Sequence, residues 1–121
     1  MAKVLIVDDS PAQIMSMKML IENWGHEALT AESADQALQI ARLEQPNVIL
    51  MDIVMPGMNG FQATRKLSKD QATSRIPVIF VSKRDGEADR IWGMRQGATA
   101  YVTKPVNPDA LFTAISDAIA A

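Results

Sequence analysis

Three short apolar runs constrain the fold of this chain more than any other feature of its sequence. Each is four or five residues long and rich in Val and Ile, which is typical of strands buried on both faces of a parallel sheet. The runs are Val4–Val7, Val48–Met51 and Pro77–Val81. Because neighbouring parallel strands need a crossover connection, helices are expected between these runs.

Helix-capping patterns follow the apolar runs. Ser10-Pro11-Ala12-Gln13 and Ser33-Ala34-Asp35-Gln36 pair an N-cap Ser with a Gln three residues later, and Asn59 can cap a third helix. The predicted strands cover residues 4–7, 26–31, 47–52, 77–81 and 99–102, and the predicted helices begin near residues 10, 33, 59, 85 and 107. This alternation predicts an α/β fold with a doubly wound five-stranded parallel sheet of flavodoxin-like order 2-1-3-4-5 and helices on both faces.

The composition removes several classes of function. The chain has 121 residues, a net charge of −2, no Cys and a single His, His26. These totals disfavour nucleic-acid binding, disulfides, thiolate catalysis and a multi-His metal site. No apolar run approaches the roughly 20 residues that span a bilayer. We therefore expect one domain over residues 1–121, located in the cytoplasm, without membrane insertion and without an output domain.

Polar residues end four of the five predicted strands. Asp8 and Asp9 follow the first strand, and Asp52 ends the third. Ser82 ends the fourth, and Lys104 follows the fifth. Ligands of doubly wound folds bind outside the carboxyl ends of the strands, where the strand order reverses. The predicted topology therefore places these five residues on one rim of the sheet.

Three carboxylates on one rim stay ionised only if cations neutralise them. Lys104 supplies one positive charge, and a divalent ion can supply the rest. All-oxygen ligands favour a hard ion, Mg²⁺ or Mn²⁺ rather than Zn²⁺. A carboxylate beside such an ion, an ammonium group and the Ser82 hydroxyl has the parts for capture of a phosphoryl group, with Asp52 as the nucleophile.

The same residues resemble a known family. The combination resembles the response-regulator receiver domains, the CheY-like family, over the whole chain. It consists of Asp8-Asp9, Asp52 with Met55-Pro56 and Gly60, Ser82, Tyr101 and Lys104-Pro105. Longer stretches are similar to PilH-type stand-alone receivers of twitching-motility chemosensory systems, notably Asp52–Gly57, Phe61–Arg65, Trp92-Gly93 and Arg95–Ala98.

The resemblance implies a phosphoacceptor site. Asp52 would accept a phosphoryl group from a histidine kinase, a CheA-like phosphodonor. Asp9, Asp52 and the backbone carbonyl of Val54 would bind Mg²⁺, with Asp8 acting mainly through water. Lys104 would contact a phosphoryl oxygen. The peptide bond between Lys104 and Pro105 would be cis. The chain would not be an enzyme beyond its own phosphoryl transfer and dephosphorylation, and it would be a monomer or a weak dimer.

The resemblance also implies a switch that reports the phosphoryl group. Ser82 would bind the group through its hydroxyl and shift when it arrives. Tyr101 would then turn inward and remodel the surface of helix 4, strand 5 and helix 5 for an effector protein. Chemosensory or type IV pilus control is the implied setting. Two departures stand out: Ser82 replaces the commoner Thr, and the long cation Lys83 follows it, where it can cover the site or alter the lifetime of the acyl phosphate.

Other interpretations stay open at the level of sequence. The domain can be a phosphate sink for a shared kinase, with no effector, or a Mg²⁺-dependent phosphatase for a small substrate. Trp92 can be a core residue or an exposed binding residue, because its helix has a poor apolar stripe. Met55 and Met58 flank the site loop, and each is core filler or part of a partner surface. Lys66, Lys69 and the pair Lys83-Arg84 are expected to be ordinary solvated cations.

Overall fold

A computed structural model describes residues 2–121, which form one parallel sheet of five strands with helices on both faces. Every strand pair is parallel, and the order is β2-β1-β3-β4-β5. The strands are β1 (Lys3–Val7), β2 (Glu27–Ala31), β3 (Val48–Met51), β4 (Val78–Ser82) and β5 (Ala100–Thr103). The helices are α1 (Pro11–Asn23), α2 (Ala34–Glu44), α3 (Gly60–Lys69), α4 (Glu87–Arg95) and α5 (Pro108–Ala120). The predicted class and strand order are confirmed, and the predicted strand boundaries differ from the observed ones by at most one residue.

Alternation along the strands divides the apolar core into two halves. Side chains at successive strand positions point to opposite faces of a sheet. In β1, Leu5 and Val7 pack with the buried residues of α2 and α3 on one face. Val4 and Ile6 pack with the buried residues of α1 and α5 on the other. The continuous apolar runs are thus explained, because every position of a central strand is covered by a helix.

The predicted caps differ in how fully they form. Ser10 and Ser33 each accept a hydrogen bond from the backbone of the Gln three residues later. The reciprocal bond is complete only at α3, where the Asn59 and Gln62 side chains each accept from the other's backbone N–H, both at 2.9 Å. At α2 the Gln36 side chain instead accepts from the residue before the cap, at 2.8 Å. The firmest helix start therefore lies next to the loop that follows β3.

Helix α4 is held by fewer buried side chains than the other helices. Its only buried residue is Gly93, whereas Ile91, Trp92 and Met94 are exposed. Trp92 is 48% exposed, and its ring meets Phe61 of α3 edge-on at a centroid distance of 6.5 Å. The structure thus decides between the two interpretations of Trp92 in favour of a surface residue with one aromatic contact.

None of the helices in residues 2–121 combines the length and the apolar character that crossing a bilayer requires.

Candidate functional site

The three acids after β1 and β3 form one cluster. Val7 pairs with Met51 in the sheet, so the residues that follow them leave the sheet side by side. The backbone N–H of Asp52 extends this pairing by donating to the Val7 carbonyl at 2.9 Å. One carboxylate oxygen from each of Asp8, Asp9 and Asp52 lies within 4.8 Å of the other two. Asp8 and Asp52 are buried, and Asp9 is exposed.

Backbone N–H groups hold one oxygen of each buried carboxylate. Asp8 Oδ1 accepts from the Ser10 N–H at 2.9 Å, and Asp52 Oδ1 accepts from the Ile53 N–H at 2.8 Å. The Oδ2 atoms of both carboxylates face the side chain of Lys104. Each carboxylate therefore has one oxygen fixed by its own loop and one directed toward the centre of the cluster.

Lys104 is the cation of the cluster, and it favours Asp8 over Asp52. Its Nζ lies 2.6 Å from Asp8 Oδ2 and 3.5 Å from Asp52 Oδ2, and its side chain is only 5% exposed. The Lys104 N–H donates to the Ser82 carbonyl at 2.8 Å, which extends the pairing of β5 with β4 as far as this residue. The peptide bond from Lys104 to Pro105 is cis, as the resemblance implies.

The electrostatic balance of the cluster is negative. Burial raises the pKa of Asp52 above its usual 3.8, and the nearby charge of Asp8 acts in the same direction, against the lowering effect of Lys104. Three carboxylates share one ammonium group, and every available donor is oxygen. This donor set fits a hard divalent cation such as Mg²⁺, which takes carboxylate, carbonyl and water ligands.

The predicted site residues, except Tyr101, line a single cleft of about 300 Å³. Its lining contains Asp8, Asp9, Asp52, Val54, Ser82 and Lys104, together with Ser10, Gln13 and Lys83. Ser82 is fully buried, and its hydroxyl accepts from the Arg84 N–H at 3.2 Å. Lys83 is exposed and lines the cleft, a position from which a long cation can cover part of the site.

Two residues that line the cleft were not predicted from the sequence to belong to the site. Ser10 and Gln13 are predicted only as cap residues of α1, yet both line the cleft. The signal was present, since α1 begins directly after Asp9 and the first turn of a helix must then lie beside the carboxylates.

Tyr101 lies outside the cleft. It is half-buried on β5, beside Phe80 of β4 at a ring distance of 6.2 Å. Its hydroxyl donates to the Arg84 carbonyl at 2.6 Å, and the Arg90 guanidinium lies 5.2 Å from the centre of its ring. Burial raises the pKa of the Tyr101 hydroxyl above its usual 10.0. Arg84 therefore joins the two regions, because its N–H donates to Ser82 and its carbonyl accepts from Tyr101.

Gly60 has a steric role that its place in the motif did not reveal. The Gly60 N–H donates to the Ile53 carbonyl at 2.8 Å, so α3 begins directly against the end of β3. A Cβ at this position would overlap the Asp52 carbonyl oxygen and lie 2.9 Å from Ile53 Cα. Because both obstacles are backbone atoms, only glycine permits this close approach.

The fold and the acidic cleft are those expected of a family of signalling proteins. The sequence of the chain matches the family model of the response regulator receiver domain over residues 4–116, and the chain belongs to this family. The predicted resemblance is confirmed.

Two related proteins and one solved structure show which receivers this chain is similar to. The chain is 52% identical over 120 residues to Protein PilH of Pseudomonas aeruginosa, with 99% of each chain covered. It is 38% identical to the response regulator PleD of Caulobacter vibrioides, of whose length it spans 25%. The structure of the Vibrio cholerae chemotaxis protein CheY4 superposes on this chain with a TM-score of 0.91 at 29% sequence identity. The superposition covers 98% of each chain.

Proposed function

We propose that this chain is a phosphorylation-controlled receiver of a two-component phosphorelay, with Asp52 as the acceptor of a phosphoryl group from a histidine kinase. The observation that carries the proposal is the position of the Asp52 carboxylate. It is buried at the end of a central strand, opens into a cleft, and has an ammonium group 3.5 Å from one oxygen. A nucleophile held beside fixed positive charge suits a reaction in which negative charge moves onto transferred oxygens.

The two oxygens of Asp52 take different parts in the transfer. Oδ1 is engaged by the Ile53 N–H, so Oδ2 is the oxygen that attacks phosphorus. The new oxygen–phosphorus bond forms as the phosphorus–nitrogen bond of the donor phosphohistidine breaks, and the electron pair stays on the imidazole. Lys104 then moves from Asp8 toward a phosphoryl oxygen, and the Ser82 hydroxyl donates to another.

Asp9, Asp52 and the Val54 carbonyl are the proposed ligands of a magnesium ion, with Asp8 acting through water. The ion, when bound, supplies the positive charge that three carboxylates and one lysine lack, and it polarises the phosphoryl oxygens. The residues themselves orient the acceptor: the backbone holds the buried carboxylates in place, while exposed Asp9 closes the cluster from the solvent side.

The proposed switch runs from Ser82 to Tyr101 through Arg84. When Ser82 turns to the phosphoryl group, the Arg84 N–H loses its acceptor and the β4–α4 loop is free to move. The Arg84 carbonyl then releases the Tyr101 hydroxyl, and the ring turns inward. The surface of α4, β5 and α5 changes shape as a result, and an effector protein binds it.

Similarity to PilH over 99% of each chain supports a role in chemosensory or type IV pilus control, through a receiver that acts by its own surface. The proposed phosphodonor is a CheA-like kinase. The alternative function is a phosphate sink, which uses the same site but takes up the phosphoryl group without an effector.

Phosphotransfer from a purified CheA-like kinase tests the proposal. Wild type should take up at most one phosphoryl group per chain, and only with Mg²⁺. Asp52→Ala should take up none, and Asp9→Asn should need a higher Mg²⁺ concentration. The matched control Asp117→Asn, an exposed acid on α5, should behave as wild type. Undiminished uptake by Asp52→Ala would overturn the assignment of the acceptor.

A further inference from the structure

The positive charge of this protein is concentrated in one part of an acidic chain. Residues 53–84 contain six Lys and Arg but a single acid, Asp70, whereas the whole chain carries a net charge of −2. The Asp70 carboxylate is directed at α2, where it pairs with Arg42 at 3.1 Å. The cations of α3 are therefore not neutralised by the acid closest to them in sequence.

Helix α3 arranges its cations along a groove. Gln62, Arg65, Lys66 and Lys69 recur at helical spacing and form one exposed stripe. Together with Gly57 and Met58 of the preceding loop they line a groove of about 550 Å³, here called the α3 groove. Within residues 2–121, no carboxylate forms an ion pair with Arg65, Lys66 or Lys69.

Stabilisation of the helix explains only part of this pattern. Lys66 and Lys69 lie in the last turn of α3, where cations favourably oppose the helix dipole. That effect accounts neither for Arg65 nor for the absence of any acid between Ile53 and Lys69. It also gives no reason for a groove with Met58 at its edge. Arg65 is already held in place, since its Nη1 donates to Gln96 Oε1 at 2.6 Å, and the guanidinium keeps further donors for a ligand.

We propose that the α3 groove binds an acidic segment of a partner protein. Three cations match three carboxylates of such a segment, and Met58 adds an adaptable apolar contact. The stripe from Gln62 to Lys69 is about 10 Å long, which suits a short peptide. A nucleic acid would extend past the groove onto an otherwise acidic protein, and none of the lining residues is an aromatic on which a base could stack.

The groove is distinct from the surface of α4, β5 and α5, yet it adjoins the proposed acceptor. Gly57 and Met58 belong to the loop that begins after Asp52, and this loop is tied to β3 by the bond from Gly60 to Ile53. A partner segment in the groove thus contacts the same loop that carries the Val54 carbonyl.

Titration of the full, unphosphorylated ¹⁵N-labelled chain with the peptide GELEELEG tests this proposal by NMR. Amide shifts should concentrate in residues 57–69 and weaken with added salt. Lys66→Gln should weaken binding by about two- to fivefold, the usual range for one exposed ion pair. Lys18→Gln removes the same charge from α1, on the other face of the sheet, and should leave binding unchanged.

Four results would overturn the proposal: equal binding of the matched peptide GQLQQLQG, shifts centred outside residues 57–69, the same shifts from inorganic phosphate at equal concentration, or tighter binding of a single-stranded oligonucleotide at the same residues. Because the titration uses unphosphorylated protein, its failure would leave the acceptor role of Asp52 untouched. Conversely, loss of phosphotransfer would leave the groove untouched.

Discussion

The buried Asp52 carboxylate has a cost for the folded protein that can be measured. Its pKa is raised in the folded state, chiefly by burial, so the folded state holds its proton at pH values where the unfolded chain has lost it. Stability therefore falls as the pH rises from 3.8 through the raised pKa, and above that window the full penalty remains. At neutral pH the ionised group destabilises the fold.

Replacing Asp52 by Asn should remove this penalty. In EDTA at neutral pH we expect Asp52→Asn to raise the free energy of unfolding by about 1 kcal/mol, the usual scale of a single substitution. The gain should vanish as the pH falls below 3.8, where both forms are neutral. Urea unfolding at a series of pH values measures it. Exposed Asp117→Asn is the control, and an Asp52→Asn protein no more stable than wild type at neutral pH would contradict the prediction.

The residues of the cleft could be predicted from sequence, but their pairing could not. Strand ends and topology were enough to group Asp8, Asp52, Ser82 and Lys104, because parallel strands all end at one rim. The preference of Lys104 for Asp8 depends on a difference of 0.9 Å between two distances, 2.6 and 3.5 Å. Such a difference is set by side-chain packing, which no spacing in the sequence encodes.

At the level of single elements, the start of α3 is fixed by the absence of a side chain at Gly60. Gly60→Ala should lower the free energy of unfolding by about 1–3 kcal/mol, because the new Cβ must displace the backbone of Asp52 and Ile53. Gly86→Ala, where the new Cβ meets only the movable Asp89 carboxylate, should cost less than about 1 kcal/mol. Chemical unfolding of both variants tests this, and equal losses would refute the steric explanation.

Tyr101 contacts α4 and the loop before it, and these contacts affect the ionisation of its hydroxyl. Because Tyr101 is the only Tyr of the chain, this ionisation can be followed by titration. Ultraviolet titration of the folded protein should give a pKa above 10.0, because burial opposes the phenolate. Arg90→Ala should raise the pKa further, since the cation over the ring favours the ionised form. Arg75→Ala is the remote control. A native pKa at or below 10.0, with circular dichroism showing intact structure, would contradict this prediction.

The sequence predicted helix α4 but not how it is attached. Its poor apolar stripe left open whether Trp92 is buried, and the structure shows how the helix is attached. Gly93 lets the helix approach the rings of Phe80 and Tyr101 closely. Contacts of this kind join residues far apart in sequence, so periodicity within one helix cannot reveal them.

Across the whole molecule, helices α1 and α4 should open with different ease. Helix α1 buries Ile14, Met17 and Ile21, whereas α4 buries only Gly93. Amide hydrogens of α4 should therefore exchange about tenfold faster than those of α1, or more. Gly93→Ala should speed exchange in α4 and leave α1 unchanged, because the new Cβ meets only the face that carries α4. Equal protection of the two helices in hydrogen-exchange NMR would contradict this expectation.

The overall architecture could be predicted because patterning, capping and composition all agreed. The distribution of charge over the surface could not, even though every Lys and Arg is visible in the sequence. Lys66 and Lys69 were expected to be ordinary solvated cations. Only the folded chain shows that they share a groove with Arg65 and that Asp70 turns toward Arg42.

The edge-on contact between Trp92 and Phe61 makes the fluorescence of Trp92 sensitive to changes near Phe61. Phe61 follows Gly60 directly, and Gly60 lies against the Asp52 carbonyl, so a rearrangement at Asp52, the proposed acceptor, reaches the indole within a few contacts. The second indole, Trp24, lies on the opposite face of the sheet against Phe112 and contributes a steady background. Emission from unlabelled protein should therefore change on phosphorylation in wild type and Trp24→Phe but not in Trp92→Phe, which makes the protein a reporter of its own signalling state.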